Sequence, residues 1–182
     1  EVEVTYSAED APVVTEALLI DQLGEPYKAL EADQRSHYVQ MLESIQRPED
    51  VALAVHTDDS KVWDVTVCTW DCIGSLSLIS GLFAAYRLDI FSVDVLTVHL
   101  PQSQKGLKAG REYWRTRRLR RLQPTGPVLP NRKILDIFQV RPLGGISDAT
   151  WTRFKEELGQ LTKLLVQGKM ETAREMIIDR IS

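Results

Sequence analysis

Two aspartates and a turn that contains a glycine are the residues of this sequence that could bind the charged groups of a small molecule. Asp71 and Gly74 frame a four-residue turn between a β-rich run and a helical run. Glycine lets a ligand approach the backbone, and the free N–H groups near Ser75 and Leu76 can receive a carboxylate. An amino acid would fit, with its ammonium group at Asp71 or at Asp89. The alternative is a simple turn in which Asp71 caps the helix.

Other site chemistry has little support in the sequence. Cys68 and Cys72 lack the second pair of ligands that a structural zinc ion requires, so we expect two buried thiols, no metal and no cofactor. The three histidines are scattered and form no metal or hydrolase motif. Asp136 lies in an apolar run, where it either contacts a ligand or points to a polar face of a sheet. We expect no catalytic residue in this segment.

One segment of the acidic chain is strongly cationic. The net charge is −4, yet residues 99–131 carry eight basic side chains against one acidic one. Arginines interleaved with aromatic residues suit contacts with phosphates and bases, and a cationic arm also suits an acidic protein. A solvated loop resting on the acidic body is the third interpretation. The arginines of this basic insert are Arg111, Arg115, Arg117, Arg118, Arg120 and Arg121.

Apolar periodicity predicts the elements that must position these residues. Helical patterns open the chain, and two β-rich runs around a polar turn then predict a hairpin. A helix, two strands separated by the basic insert, and two further helices follow. In chain order the predicted bounds are helices over 12–23 and 26–46, strands over 51–57 and from 62, a helix over 74–87, strands over 90–98 and 134–140, and helices from an N-cap at Ser147 to Gly168 and over 170–181.

This order predicts an α+β fold with a four-stranded antiparallel sheet, two helices on one face of it, and additional N-terminal helices. In the usual split βαβ fold the fourth strand follows the second helix, but here that region is helical. We predict that the strand 51–57 takes its place. The predicted domains are an N-terminal helical segment over 1–50, a domain over 51–168 that contains the basic insert, and a C-terminal helix over 169–182.

The domain over 51–168 resembles an ACT domain, a ferredoxin-like fold. It is most similar to the first C-terminal ACT domain of the bacterial PII uridylyltransferase/uridylyl-removing family. That family has a strand ending in Asp-Arg-Pro-Gly-Leu, then Gly-x-Asn-Ile, then Leu-Asp-x-Phe-x-Val. Asp71 and Gly74 match the first motif, Leu88-Asp89-Ile90 stands at the second, and the third matches at Leu135, Asp136, Phe138 and Val140. The chain departs from the family at Cys72, Ile73, Ser75, Arg87 and Asp89, and in the basic insert.

The resemblance implies a regulatory module, without catalytic activity of its own, that senses or relays a small amino acid, with glutamine favoured. The effector-binding residues that it implies are Asp71, Gly74, Ser75, Leu76 and Asp89. It also implies pairing with a second ACT domain or a second copy through the exposed sheet edge. Two alternatives remain, a protein-interaction module without a ligand and nucleic-acid binding through the basic insert.

The resemblance also implies a larger parent protein, a cytoplasmic enzyme with nucleotidyltransferase activity. We expect a piece of such a chain, because Glu1 is not a natural start and the last helix stops abruptly at Ser182. The absence of a signal pattern makes us expect no secretion. No apolar run approaches the eighteen residues of a membrane span, so we expect no membrane partner. The assignment and the sensing role that it implies both require a sheet that is covered on one face. Helices on both faces, or a strand 51–57 detached from residues 62–69, would count against the two together.

Overall fold

The computed structural model describes residues 13–57, 61–101 and 127–181, which form six helices and four strands. The helices are α1 (Glu16–Leu23), α2 (Glu25–Lys28), α3 (Ala32–Ser44), α4 (Ser75–Ala85), α5 (Asp148–Val166) and α6 (Met170–Ile181). The strands are β1 (Ala52–His56), β2 (Trp63–Cys72), β3 (Leu88–His99) and β4 (Val128–Pro142). The second predicted helix is thus divided into α2 and α3. In the described ranges no helix is both long and apolar enough to cross a membrane.

The strands form one antiparallel sheet in the order β1-β2-β4-β3. This confirms the predicted α+β class and four-stranded sheet, and the arrangement is consistent with a ferredoxin-like fold. The hairpin runs from Ala52 opposite Cys68 to His56 opposite Asp64. It places β1 at the sheet edge beside β2, as predicted for the strand that replaces the missing fourth one.

One face of the sheet packs against α4, α5 and α6. Phe83 of α4 lies at the centre of this core, with its ring centroid 4.7 Å from that of Phe138 and 5.0 Å from that of Phe154. All three side chains are fully buried. Burying a Phe side chain contributes roughly 1.5–3 kcal/mol, so this aromatic cluster is a main source of stability for the α4 and α5 layer.

The other face of the sheet packs against the N-terminal helices, so our expectation of a sheet covered on one face is wrong. Leu19 and Leu42 form a second core with Cys68 and Leu135 of the sheet. The physical reason lies in β2, where both alternating sets of side chains are mostly apolar over residues 65–70. Strands that are buried on both faces have such near-continuous apolar runs. By the condition stated above, this cover counts against the ACT assignment and against a sensing role inferred from it.

Helix α6 forms an outer layer over α4. Ala173 is fully buried, and Ile177 lies so close to Gly81 that a Cβ atom there would be 3.2 Å from the Ile177 Cγ2. The apolar face of this helix therefore packs largely on the chain itself, although Ile181 at its end is exposed.

Candidate functional site

The turn from Asp71 to Gly74 joins β2 to α4, as predicted, but its carboxylate is already paired. A guanidinium nitrogen of Arg132 on β4 lies 2.8 Å from an Asp71 carboxylate oxygen, and the Asp71 side chain is largely buried. Asp71 does not cap α4, because the structure gives that helix no side-chain cap. An ammonium group could bind Asp71 only by competing with Arg132.

Gly74 is the N-cap residue of α4 and has a left-handed backbone, with φ of +89°. The terminal methyl group of Met170 occupies the space that a Cβ atom at this position would fill. Ser75 is buried beneath this contact, whereas Leu76 is 39% exposed. The start of α6 therefore partly covers the first turn of α4, and a ligand has less room to reach the free N–H groups of that turn.

Asp89 lies at the opposite end of the sheet from Asp71. Trp70 pairs with Lys133 of β4, and Asp89 pairs with Arg141, eight residues further along that strand. At about 3.4 Å per residue the two ends are about 25 Å apart. The structure thus does not bring Asp71 and Asp89 of one chain into one site, because β2 and β3 run in the same direction on either side of β4.

A groove of about 300 Å³ opens beside Asp89, between the C-terminal half of α4 and the start of β3. Its lining includes Arg87 and Asp89, one residue of each charge. Arg87 adopts a left-handed backbone, with φ of +57°, at the tight connection from α4 to β3. Arg141 lies 3.5 Å from Asp89, and both side chains are about half exposed. The remaining wall of the groove is formed by Ser80, Ala84, Leu88, Ile90 and Leu143.

A buried polar cluster lies at the Asp71 end of the sheet. Asp136 is 1% exposed, so neither interpretation from the sequence describes it, since it faces neither solvent nor an open pocket. Burial, and then the neighbouring Asp71 carboxylate, raise the pKa of Asp136 to about 6. Among the described residues, the Thr69 hydroxyl and the Nε atom of Arg132 have no hydrogen-bond partner. The sequence held a weak signal for this cluster in its two acids on neighbouring strands.

A buried lysine of β4, Lys133, forms a hydrogen bond that joins the N-terminal helices to the sheet. The Nζ atom of Lys133 donates to the Leu42 carbonyl oxygen at 2.7 Å and lies 5.1 Å from the centre of the Trp70 ring. Burial lowers the pKa of Lys133. Sequence analysis did not single out this residue, because the partner carbonyl lies ninety-one positions away in the chain.

The described residues contain neither a reactive, exposed cysteine nor a group of side chains that could bind a metal ion. Cys68 and Cys72 are free and buried, as predicted, and burial raises the pKa of their thiols to about 12 and about 11. The described ranges contain no group of three or more His, Cys, Asp or Glu side chains that could hold a metal ion.

The arginines of the basic insert lie outside the described residues. The insert leaves the sheet after β3 and returns at β4, so it connects two adjacent antiparallel strands. The described residues at the two ends of the insert are hydrogen-bonded at the end of the sheet where Asp71 lies. The Ile73 N–H donates to the Pro127 carbonyl oxygen at 2.9 Å, and the Leu100 N–H donates to the Asn131 carbonyl oxygen at 2.8 Å. Whether the basic insert binds phosphates, an acidic protein or the acidic body of its own chain is not tested by the described residues, so all three interpretations stay predictions.

No family model matches the chain, and no curated protein matches it at a significant level.

Proposed function

We propose that the chain is a non-catalytic regulatory module that senses a small amino acid, with glutamine favoured, and relays the signal by pairing with a second copy or a similar domain. The observation that carries this proposal is the groove at the start of β3, whose lining includes both Arg87 and Asp89. A free α-amino acid carries one positive and one negative group on the same carbon atom. Opposite charges in the lining of a small concave site suit such a ligand.

The proposed ligand lies in the groove. The Asp89 carboxylate receives the ammonium group in competition with Arg141, whose half-exposed guanidinium lies 3.5 Å away. The Arg87 guanidinium donates to the ligand carboxylate in the paired geometry that arginine favours. The ligand side chain then lies along Ala84 and Leu143, with the Ser80 hydroxyl as a polar group within the groove. The volume of about 300 Å³ lies at the lower end of the range for ligand pockets, which favours a small metabolite.

Pairing explains how the two predicted halves of the site could meet. If a second copy adds its β3 antiparallel to β3 of the first, the start of one β3 lies level with the end of the other. Asp89 of one copy then comes to the level of the 71–74 turn of the second copy. A ligand at Asp89 would therefore lie near the interface, where its binding can favour or oppose pairing.

The amino-acid chemistry of the proposal rests on the groove, and the pairing rests on the sheet edge. The regulatory role and the preference for glutamine rest on the ACT resemblance, against which the covered second face counts. A larger parent enzyme with nucleotidyltransferase activity, and a cytoplasmic location, stay proposals that depend on that resemblance. The motif residues Asp71, Gly74 and Asp136 support the resemblance by their spacing alone.

The second candidate is a protein-interaction module without a ligand. It is favoured by the exposed apolar side chains of β3, which include Phe91 at 55% and Val95 at 45% exposure. Under this alternative the groove is a surface feature, and pairing is the whole function. Nucleic-acid binding would depend on the basic insert, and no observation on the described residues favours it.

Calorimetric titration with glutamine and with other amino acids separates the first two candidates. We expect saturable heat at millimolar ligand or below, at least tenfold weaker binding in Asp89→Asn, and unchanged binding in Asp21→Asn, which removes an exposed charge on α1. Absence of heat at millimolar concentrations in the folded protein would rule out sensing. Full binding by Asp89→Asn would place the ligand elsewhere.

A further inference from the structure

Strand β3 is an apolar edge strand. It pairs with β4 on one side only, and its apolar side chains are exposed to an unusual extent for a strand, with Ile90 at 37%, Val93 at 38% and Val95 at 45%. Soluble proteins usually protect such edges with charges, proline or a cover, because open backbone groups template the addition of another strand. Only part of this edge has that protection.

Gln22 of α1 closes the upper end of the edge. Its side-chain nitrogen donates to the His99 carbonyl oxygen at 2.7 Å, and its side-chain oxygen accepts from the His99 N–H at 2.7 Å. The amide thereby takes both backbone groups that a neighbouring strand would use. Because outward and inward groups alternate along an antiparallel strand, the N–H and C=O groups of Val93, Val95 and Thr97 also point outward.

A β-bulge closes the lower end of the edge. Ile90 pairs with Val140 and Ser92 pairs with Gln139, so Phe91 is an extra residue on β3. A bulge disrupts the regular ladder and twists the strand. The regular and unoccupied part of the edge therefore extends from residue 92 to residue 98.

This short window leaves few ways for two copies to pair symmetrically. A two-fold axis at residue 93 or below would pair an incoming strand with the bulge. An axis at Leu96 or above would leave Ser92 and Val93 unpaired, because the partner of Val93 would be His99, which already bonds Gln22. An axis at Asp94 would set two carboxylates directly opposite each other, which is destabilising. An axis at Val95 meets none of these obstacles. It pairs Val95 with Val95 of the second copy, and Val93 with Thr97 of the second copy.

We propose that a second copy of this chain adds to β3 in an antiparallel register centred on Val95, with Gln22 as the stop that selects this register. The inference rests on the pairing part of the proposed function but not on ligand binding. Its partner is a second copy because the open window is complementary to itself. The paired Val95, Val93 and Thr97 side chains project on the α4 side of the sheet, so the apolar surface now exposed there would be buried.

Disulfide trapping in the full chain tests the register. Opposed residues of a hydrogen-bonded pair have Cα atoms about 5.5 Å apart, which is within the disulfide range. We expect Val95→Cys to form a disulfide-linked dimer on mild oxidation, and Asp94→Cys and Leu96→Cys to do so at least tenfold more slowly. The wild-type chain is the control, because its own thiols are buried. Faster linkage at 94 or 96, or none at 95, would overturn the register.

Two further variants test the pairing itself and the role of Gln22. Val95→Lys should be monomeric in sedimentation equilibrium at concentrations where Ile181→Lys, a control at an exposed apolar position of α6, still pairs. A wild-type monomer at near-millimolar concentration would overturn the proposal. Gln22→Ala should increase linkage through Leu96→Cys severalfold, since His99 is freed. Unchanged linkage in a folded Gln22→Ala chain would remove Gln22 from the account.

Failure of this inference can be distinguished from failure of ligand sensing. Glutamine titration of the monomeric Val95→Lys chain measures the groove alone. Heat without linkage at residue 95 leaves sensing in place and removes the pairing register. Linkage at residue 95 without heat leaves the register in place and removes sensing.

Discussion

Asp136 is a carboxyl group whose burial sets a pH dependence on the fold. Its pKa is raised to about 6 from an ordinary 3.8. The folded state therefore holds the proton on Asp136 more tightly than the unfolded state does. Below about pH 4 the carboxyl group is protonated in both states, so its ionisation does not reduce the free energy of unfolding. The cost of its ionisation grows as the pH rises from about 4 to about 6, and reaches at most about 3 kcal/mol above that range.

We predict that Asp136→Asn stabilises the protein at neutral pH, because a neutral amide removes the buried charge and its repulsion from Asp71. The free energy of unfolding should rise by about 1–3 kcal/mol at pH 7.5 and change little at pH 4. Urea denaturation at both pH values measures this. Glu175→Gln, a change at an exposed position of α6, is the control and should have a small effect at both. Equal stabilisation at the two pH values would contradict the assignment.

Gly74 is constrained both by its backbone and by its neighbour. We predict that Gly74→Ala lowers the free energy of unfolding by about 1–3 kcal/mol, because alanine is strained at φ of +89° and its methyl group would displace Met170. Gly159→Ala is the matched control, since no atom lies within 4 Å of the added Cβ atom. That change in the interior of α5 should stabilise by up to about 1 kcal/mol. Thermal unfolding of both variants measures the difference, and equal effects would show that the Met170 contact is unimportant.

At the residue scale the sequence indicated types of chemistry but not partners. Asp71 was identifiable from its turn, yet its pairing with Arg132 depends on the register of β2 and β4, which no local pattern specifies. Asp136 was expected either on a polar face or at a ligand. Its burial could not be predicted, because a single charged residue in a strand gives no sign of which face the helices cover.

The start of α5 shows that an element boundary can be predicted when local chemistry dictates it. The Ser147 hydroxyl accepts from the Thr150 N–H, and the Thr150 hydroxyl accepts from the Ser147 N–H, which forms a capping box. The predicted N-cap at Ser147 and the stop at Gly168, with φ of +74°, are both confirmed. Caps depend on residues within one turn, so sequence alone can specify them.

We predict that Ser147→Ala destabilises the protein by about 1 kcal/mol, because the Thr150 N–H in the first turn of α5 loses the Ser147 hydroxyl as its side-chain acceptor. Hydrogen exchange should show faster exchange in this first turn. Thr152→Ala in the same helix removes an exposed hydroxyl that bonds only the Asp148 carbonyl oxygen, and serves as the control. If both variants have the same stability, the capping box contributes nothing.

At the scale of the whole molecule, strand order could be predicted but the second layer of helices could not. The order β1-β2-β4-β3 follows from a hairpin and a strand-helix-strand unit, which are both short-range features. The N-terminal helices were recognised from periodicity, but which surface they cover depends on contacts across the whole chain. The β2 segment over 65–70 held the missed signal, since Val65 and Val67 face α4 and α5 while Cys68 and Trp70 face the N-terminal helices.

The two buried thiols offer a separate probe for each face of the sheet. Cys68 lies in the core formed with α1 to α3, and Cys72 lies in the core formed with α4 to α6. Removing the N-terminal helices would expose Leu135 and break the bond from Lys133 to the Leu42 carbonyl oxygen. We therefore expect these helices to unfold together with the sheet, and not as the separate segment that a boundary near residue 50 would suggest.

Leu42→Ala tests this cooperativity. Truncation of a fully buried leucine should destabilise the fold by about 2–4 kcal/mol. If the whole chain unfolds as one unit, thiol labelling of Cys68 and Cys72, resolved by mass spectrometry of the peptides, should accelerate by the same factor of roughly 30 to 1,000, since labelling then follows the population of the unfolded state. Phe83→Leu on the opposite face should likewise accelerate both thiols equally. Selective acceleration at Cys68 in Leu42→Ala would show instead that α1 to α3 detach from a sheet that stays folded.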